Sequence, residues 1–162
     1  MEFNYSKISS PVGPLHLLTD GEKLVGLIFN ANWKVFSKGF EGHLVMGPDR
    51  IIRETEIQLT EYFAGSRTEF DVAVAYSGTE FQQQAWKTLQ KIPFGKTICY
   101  SEQAANMKNP KAMRAVGRAN GQNRIAIVIP CHRVIGKNGS LTGFSGGIKI
   151  KQQLLQLEGR RI

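Results

Sequence analysis

The charge of this chain is divided unevenly along its length. Residues 1–78 hold 7 Lys and Arg against 10 Asp and Glu, whereas residues 79–162 hold 14 against 3. The net excess of +8 therefore lies wholly in the C-terminal half. A chain of 162 residues suffices for one large domain or two small ones. The charge change falls at the turn-forming Ser77-Gly78, so the expected division is 1–78 and 79–162. Concentrated positive charge predicts a polyanion, nucleic acid, as partner of the second half.

Apolar content of 41% and charged content of 21% are those of an ordinary globular protein. The opening Met1-Glu2-Phe3-Asn4 lacks the basic segment and apolar run of a signal peptide. No stretch approaches the roughly 20 apolar residues of a membrane helix. The expectation is a soluble cytoplasmic protein with no membrane association. Its only cysteines, Cys99 and Cys131, are expected as free thiols in a reducing compartment. The histidines His16, His43 and His132 are scattered, without Cys-x-x-Cys or His-x-x-x-His spacing, so no metal site is expected.

Periodicity outlines the elements. Residues 5–9, 15–19 and 24–29 read as antiparallel strands, turning at Pro11-Val12-Gly13-Pro14 and at Asp20-Gly21. Residues 31–47 are less regular and fit either a loop or another strand. From Pro48, the recurrence of Ile51, Ile52, Thr55, Leu59, Tyr62 and Phe63 predicts a helix stopped by Gly65, and residues 70–75 fit one more strand. Thr79-Glu80-Phe81-Gln82 has the form of a capping box, predicting a helix to about Lys91 that Pro93-Phe94-Gly95 breaks. Residues 97–100 read as extended, and Ser101 as the cap of a helix through about Met107. Asn109 as N-cap with Pro110 at the first position predicts a third helix to about Asn120. These two short helices form a candidate helix-turn-helix whose second member carries Lys111, Arg114 and Arg118. Residues 125–129 (Ile-Ala-Ile-Val-Ile) are apolar throughout and predict a buried strand ending at Pro130. A last helix is expected from about Ser145-Gly146-Gly147 to Glu158-Gly159.

That apolar run leads into Pro130-Cys131-His132-Arg133. A thiol at the end of a rigid segment is firmly held. A histidine beside it can assist deprotonation, and Arg133 adds potential that favours the thiolate. Taken alone, such a pair is more often a small buried cysteine beside a surface histidine. Neighbours in a strand also point to opposite faces, so contact between them needs a turn or a bridging water.

The surrounding residues resemble those of the O6-alkylguanine-DNA alkyltransferase family. The resemblance rests on Pro130-Cys131-His132-Arg133-Val134-Ile135, Gly143-Phe144-Ser145-Gly146-Gly147 and Leu154-Leu155-Gln156-Leu157-Glu158. It is extended by Pro93-Phe94-Gly95, Tyr100 and the run from Asn109-Pro110-Lys111 through Arg114-Ala115-Val116-Gly117. It is close over residues 79–159 and holds only in general layout over 1–78. It implies an α+β chain, with a ribonuclease-H-like N-terminal α/β domain lacking nuclease activity. A winged-helix-like (helix-turn-helix) DNA-binding domain would follow. The implied reaction is transfer of the alkyl group of O6-alkylguanine in duplex DNA, with O4-alkylthymine left open, to the protein's own cysteine in one turnover without a cofactor.

By the same resemblance Cys131 is the nucleophile and His132 a water-mediated base oriented by a buried Glu158. Asn123 supports the turn between the recognition helix and the active-site strand. Carbonyls of Cys131 and Val134, the Tyr100 hydroxyl and the Ser145 amide would read the flipped base, with Phe144 packing on it. Arg114 would fill the gap in the duplex, Tyr100 would displace the 3′ phosphate, and Lys111, Ala115, Arg118 and Arg133 would complete the DNA contacts. The protein is expected to act as a monomer, cooperative binding on DNA being left open.

Phe144 stands where many relatives carry tyrosine, and Arg124 where proline is common; the latter loosens the turn and adds charge for the DNA backbone. Three other classes are weighed against this reading. A lesion-sensing relative would lack Cys131. A helix-turn-helix regulator would leave the Pro-Cys-His-Arg box unexplained. A cysteine hydrolase would need an oxyanion hole that nothing in the sequence requires.

Overall fold

The computed structural model describes residues 1–159 except Glu41, Thr142 and Ser145. The chain separates into two compact units, Met1–Ala75 with Arg124–Ala126, and Tyr76–Asn123 with the chain from Ile127 onward. A short piece of the basic half is thus built into the first unit. Among the described residues no helix is long and apolar enough to cross a membrane.

In the first unit β1 (Phe3–Ile8), β2 (Leu15–Thr19) and β3 (Leu24–Phe29) form the expected antiparallel run. Tyr5 pairs with Leu18 and Leu17 with Leu27. All five residues of β2 are buried, as a central strand covered on both faces requires. The irregular stretch after β3 contains a helix, α1 (Asn30–Phe36), and then β4 (Leu44–Met46), which pairs in parallel with β1. Strand order is β3-β2-β1-β4. Helix α2 (Arg50–Phe63) lies against β1 and β2 and buries Ile51, Ile52, Leu59 and Tyr62 at the expected spacing. Asp49 caps it by accepting the Ile52 N–H at 2.9 Å.

Two strand expectations fail. Residues 70–75 make a single bridge, Val74 to Leu24, and 125–129 a single bridge, Ile125 to Leu27. After Ile125 the chain turns, and Ile127 takes φ 68°, a left-handed conformation costly for a β-branched residue. Residues 125–129 are all buried; their apolar composition reports burial and not extension. The Arg124 guanidinium lies over the Phe36 ring at 5.9 Å.

The second unit opens with α3 (Glu80–Leu89), whose capping box forms as expected: Gln82 N–H to Thr79 Oγ1 at 3.1 Å and Thr79 N–H to Gln82 Oε1 at 2.9 Å. After β5 (Ile98–Cys99), α4 (Tyr100–Asn106) starts before Ser101, with Cys99 as its N-cap and Glu102 accepting the Cys99 N–H. Helix α5 (Met113–Gly121) begins three residues later than Asn109-Pro110 suggests. Residues 109–112 close a turn, Ala112 N–H to the Asn109 carbonyl at 3.0 Å, and Ala112 leaves helical geometry at φ −92°, ψ 21°. Helical bonding starts only with Val116 N–H on the Ala112 carbonyl. Lys111 therefore sits exposed in the turn and not on the helix. The strand β6 (Val134–Ile135) pairs in parallel with β5, and α6 (Ile148–Leu157) ends the described chain.

Candidate active site

The Pro-Cys-His-Arg segment is a tight double turn and not a strand end. Pro130, at φ −84° and ψ 67°, makes an inverse γ-turn in which the Cys131 N–H meets the Ile129 carbonyl at 2.9 Å. A single 3-10 turn, Cys131–Arg133, follows and runs into β6. This turn lacks a strand's strict alternation of faces, and Cys131 and His132 are both buried in it.

Cys131 is buried. Its Sγ receives the Asn123 Nδ2–H at 3.3 Å, and the same amide donates to the Ile129 carbonyl at 2.8 Å. Burial pushes the thiol pKa up; the Asn123 hydrogen bond, the Lys151 charge and the backbone oppose that rise without cancelling it. At rest the group is a protected thiol, which needs a base before it can attack.

A base lies next to it in sequence. His132 has no exposed surface, and its Nε2 is 2.7 Å from Glu158 Oε2. Its Nδ1 has no hydrogen-bonding partner among the described residues. Burial lowers the His132 pKa, the bond and charge of Glu158 oppose that, and Arg133 and Lys151 add to the lowering. The imidazole is thus neutral, with the Nε2 proton donated to Glu158 and a bare acceptor at Nδ1.

Glu158 follows α6, where a carboxylate meets the unfavourable end of the helix dipole. Burial would raise its pKa, but hydrogen bonds and charges from His132 and Arg133 overcome this and hold it at about 2. Arg133 supplies two bonds, Nε to Oε1 at 2.8 Å and Nη2 to Oε2 at 3.1 Å, and its Nη1 donates to the Ile92 carbonyl at 2.7 Å. The Gly95 N–H approaches Glu158 Oε1 at 3.4 Å. That glycine has φ 80°, and an added Cβ would lie 3.2 Å from the Glu158 carbonyl. The Pro93-Phe94-Gly95 break therefore forms one wall of the carboxylate's pocket.

Arg133 is consequently misplaced by the expectation of a DNA contact. Its side chain is buried, and its guanidinium is spent on Glu158 and Ile92. The cation that acts on the thiol is Lys151, almost wholly buried at 1% exposure, with Nζ 6.0 Å from the Tyr100 ring centre and 5.9 Å from that of Phe144. Sequence reasoning missed it. The available signal was its spacing from Leu155 and Glu158, which sets a lysine on the buried face of α6.

An open cleft of about 430 Å³ is lined by Tyr100, Met113, Arg114, Gly117, Arg118 and Gly143. Gly143, at φ 69°, lets the chain pass close to Tyr100: a Cβ there would lie 3.3 Å from its hydroxyl. Burial raises the Tyr100 pKa, and the charge of Cys131 adds to the rise, so phenol and thiol sense each other. Arg114 and Arg118 are exposed one turn apart on α5, Ala115 is half-buried beside them, and Val116, Ala119 and Asn120 face inward. Val134 is fully buried in β6. Ser145 lies outside the described residues. A buried thiol, a neutral imidazole with a free acceptor and an ionised carboxylate behind it can generate a nucleophile in a dry site.

Residues 80–160 match the family described as 6-O-methylguanine DNA methyltransferase, DNA binding domain, and residues 3–76 match that family's ribonuclease-like domain. The chain is 46% identical over 159 residues to the methylated-DNA--protein-cysteine methyltransferase of Methanosarcina acetivorans, covering 96% of this chain and 97% of that protein. It is 45% identical over 161 residues to the protein of the same name from Mycobacterium tuberculosis, covering 98% and 93%. Among solved structures, Mycobacterium tuberculosis OGT in complex with DNA superposes with a TM-score of 0.87 at 46% identity, over 96% of this chain and 92% of that one. The two-domain α+β architecture, ribonuclease-like and then DNA-binding, is that of these proteins. With both of its domains matched, this chain belongs to the 6-O-methylguanine DNA methyltransferase family.

Proposed function

We propose that the protein repairs double-stranded DNA by transferring the alkyl group of O6-alkylguanine to Cys131, one group per molecule and without a cofactor. The observation that carries the assignment of the nucleophile is the buried series Cys131, His132, Glu158, in which His132 Nδ1 has no hydrogen-bonding partner among the described residues. The Cys131 proton passes through one bridging water to Nδ1, while Nε2–H stays on Glu158. Glu158, ionised down to a pKa of about 2, stabilises the imidazolium that results. Sγ then attacks the alkyl carbon, the carbon–O6 bond breaks, and guanine O6 takes the electron pair. The guanine stays in the DNA and takes a proton at N1, which balances the proton that His132 accepted from the thiol. The product is a thioether, which has no carbonyl for water to attack, so the cysteine is consumed.

A carbon bonded to O6 inside a stacked duplex cannot be approached in line by a buried thiolate, so the nucleotide has to flip out. In this reading residues 79–162 form the DNA-binding domain and 1–78 support it. Helix α5 enters the groove, Arg114 fills the space left by the base, and Lys111, Ala115 and Arg118 hold the backbone. Tyr100 turns the 3′ phosphate and, with the carbonyls of Cys131 and Val134 and the Ser145 amide, reads the base, on which Phe144 packs. Asn123 steadies the thiolate through its hydrogen bond to Sγ, and Lys151 adds positive potential there. Free cysteines fit a reducing compartment, and we assign the protein to the cytoplasm.

The test is intact-mass analysis after mixing with duplex DNA that carries O6-methylguanine. One methyl group per protein, mapped to Cys131 and abolished in Cys131→Ala, is the expected result. Continued turnover without a mass change would overturn the mechanism.

A further inference from the structure

Two buried amides face each other between α4 and α5. Gln103 Nε2 donates to Asn120 Oδ1 at 3.0 Å, and Asn120 Nδ2 donates back to Gln103 Oε1 at 2.8 Å. Gln103 Nε2 is also 3.2 Å from the Ala85 carbonyl and 3.3 Å from Thr88 Oγ1, both on α3. Trp86 of α3 donates to the Ala119 carbonyl at 2.8 Å. Three helices thus meet on one fully buried glutamine.

An apolar pair of similar volume would pack here without the risk of unmet polar groups. What the amides add is direction. Reciprocal bonds form only at one rotation of α5 about its axis and one height along α4, whereas apolar contacts tolerate sliding. The rotation of α5 has consequences at both of its ends. It aims Arg114 and Arg118 into the cleft. It also sets where the helix hands the chain to Asn123, whose N–H meets the Asn120 carbonyl at 3.2 Å and whose side chain reaches Cys131 Sγ.

We propose that the Gln103–Asn120 amide pair is a positioning device for alkyl transfer. It holds α5 in the single register from which Asn123 reaches the Cys131 sulfur while Arg114 faces the DNA. The proposal rests on Cys131 being the nucleophile. Neither amide touches the reacting atoms; each acts through Asn123 and through the aim of α5.

The test compares the wild type with Gln103→Leu/Asn120→Leu, which removes both polar groups together, and with the exchanged pair Gln103→Asn/Asn120→Gln. Transfer rates are read against pH, on O6-methylguanine duplex and on free O6-benzylguanine. The double-leucine protein is expected to fold but to transfer about tenfold more slowly on both substrates, with the pH midpoint of the rate raised by about one unit, as for loss of one hydrogen bond to a thiolate. The exchanged pair should recover most of that loss. If the double-leucine protein does not fold, the exchanged pair is compared with Gln103→Asn alone, and the exchanged pair should be the faster at equal thermal stability. A folded double-leucine protein with wild-type rates and pH profile overturns the proposal, as does an exchanged pair no faster than the single variant. A wild type that gains no alkyl group instead overturns the reading of Cys131, so the two failures are distinct.

Discussion

The two units solve the problem of burial differently. Among the described residues, the first has an aliphatic and aromatic sheet core with four buried polar side chains, none with a full charge. His16 is neutral between the Tyr5 hydroxyl at 2.6 Å and Asn30 at 3.0 Å, with Trp33 stacked on it. In the second unit seven are buried, and four of them (His132, Arg133, Lys151 and Glu158) are ionisable. Replacing a buried ion pair by apolar groups is often neutral or stabilising, so such a cluster is poorly explained by stability alone. The first unit is built to be stable. The proposed alkyl transfer gives the second a use for such costly charges.

That contrast breaks most sharply at Glu158. Glu158→Gln should cost about 3–5 kcal/mol by leaving Arg133 unpaired in the interior. It should also slow transfer per folded molecule by about 100-fold or more, because His132 loses the anion that supports its protonation. Mass-detected transfer rates, corrected for the folded fraction, would read both effects. Leu17→Ala, in the fully buried centre of β2, should cost a comparable 2–5 kcal/mol, roughly, in denaturant unfolding. Its transfer rate per folded molecule should equal that of wild type. If Leu17→Ala slowed transfer as Glu158→Gln does, the division between a stabilising and a reacting unit would fail.

Arg114→Ala sharpens the picture within the second unit. Repair of duplex should slow about 10- to 100-fold through lost orientation of the base, while reaction with free O6-benzylguanine should be unaffected. Equal losses on both substrates would remove Arg114 from base flipping.

The smallest effect concerns pH. His16 and His132 both have pKa values lowered from 6.5, in each case first by burial. Below 6.5 the unfolded chain binds protons that the folded chain refuses, so this contribution is present above that value and is lost as pH falls. Glu158, lowered from 4.5 to about 2, has the same sign at lower pH: its stabilisation fades as pH drops from 4.5 towards 2. His16→Gln should flatten the fall in unfolding free energy between about pH 7 and 5 by up to one proton, leaving the His132 share. A slope that His16→Gln leaves unchanged would mean that His16 binds its proton equally well in the folded and unfolded chains.

Several elements could be read directly from residue order. The hairpins, α2 and the capping box of α3 follow from local rules that span only a few residues. Helix α1 was hidden because it is short and its N-cap, Phe29, offers no side-chain acceptor. Residues 125–129 misled because a fully buried turn and a buried strand share one composition. At the site, the Pro-Cys-His-Arg box identified Cys131 and His132 as neighbours, but adjacency misassigned Arg133. Sequence proximity makes a guanidinium two residues from a thiol look like its activator; in space it belongs to the carboxylate of Glu158, 25 residues away.

The order of residues determined by itself which groups were available: a thiol beside an imidazole, a basic half, two short helices and an acid near the end. Their relations were decided only by tertiary structure. In the double turn at Pro130 both Cys131 and His132 are buried, Arg133 pairs with Glu158, and the Lys151 charge opposes the rise of the Cys131 pKa. The physical reason is that local preferences act over a few residues, whereas the strength of a charge depends on what surrounds it. Burial and pairing are set by segments far apart in the chain, and they decide whether a charge is expelled, neutralised or put to use.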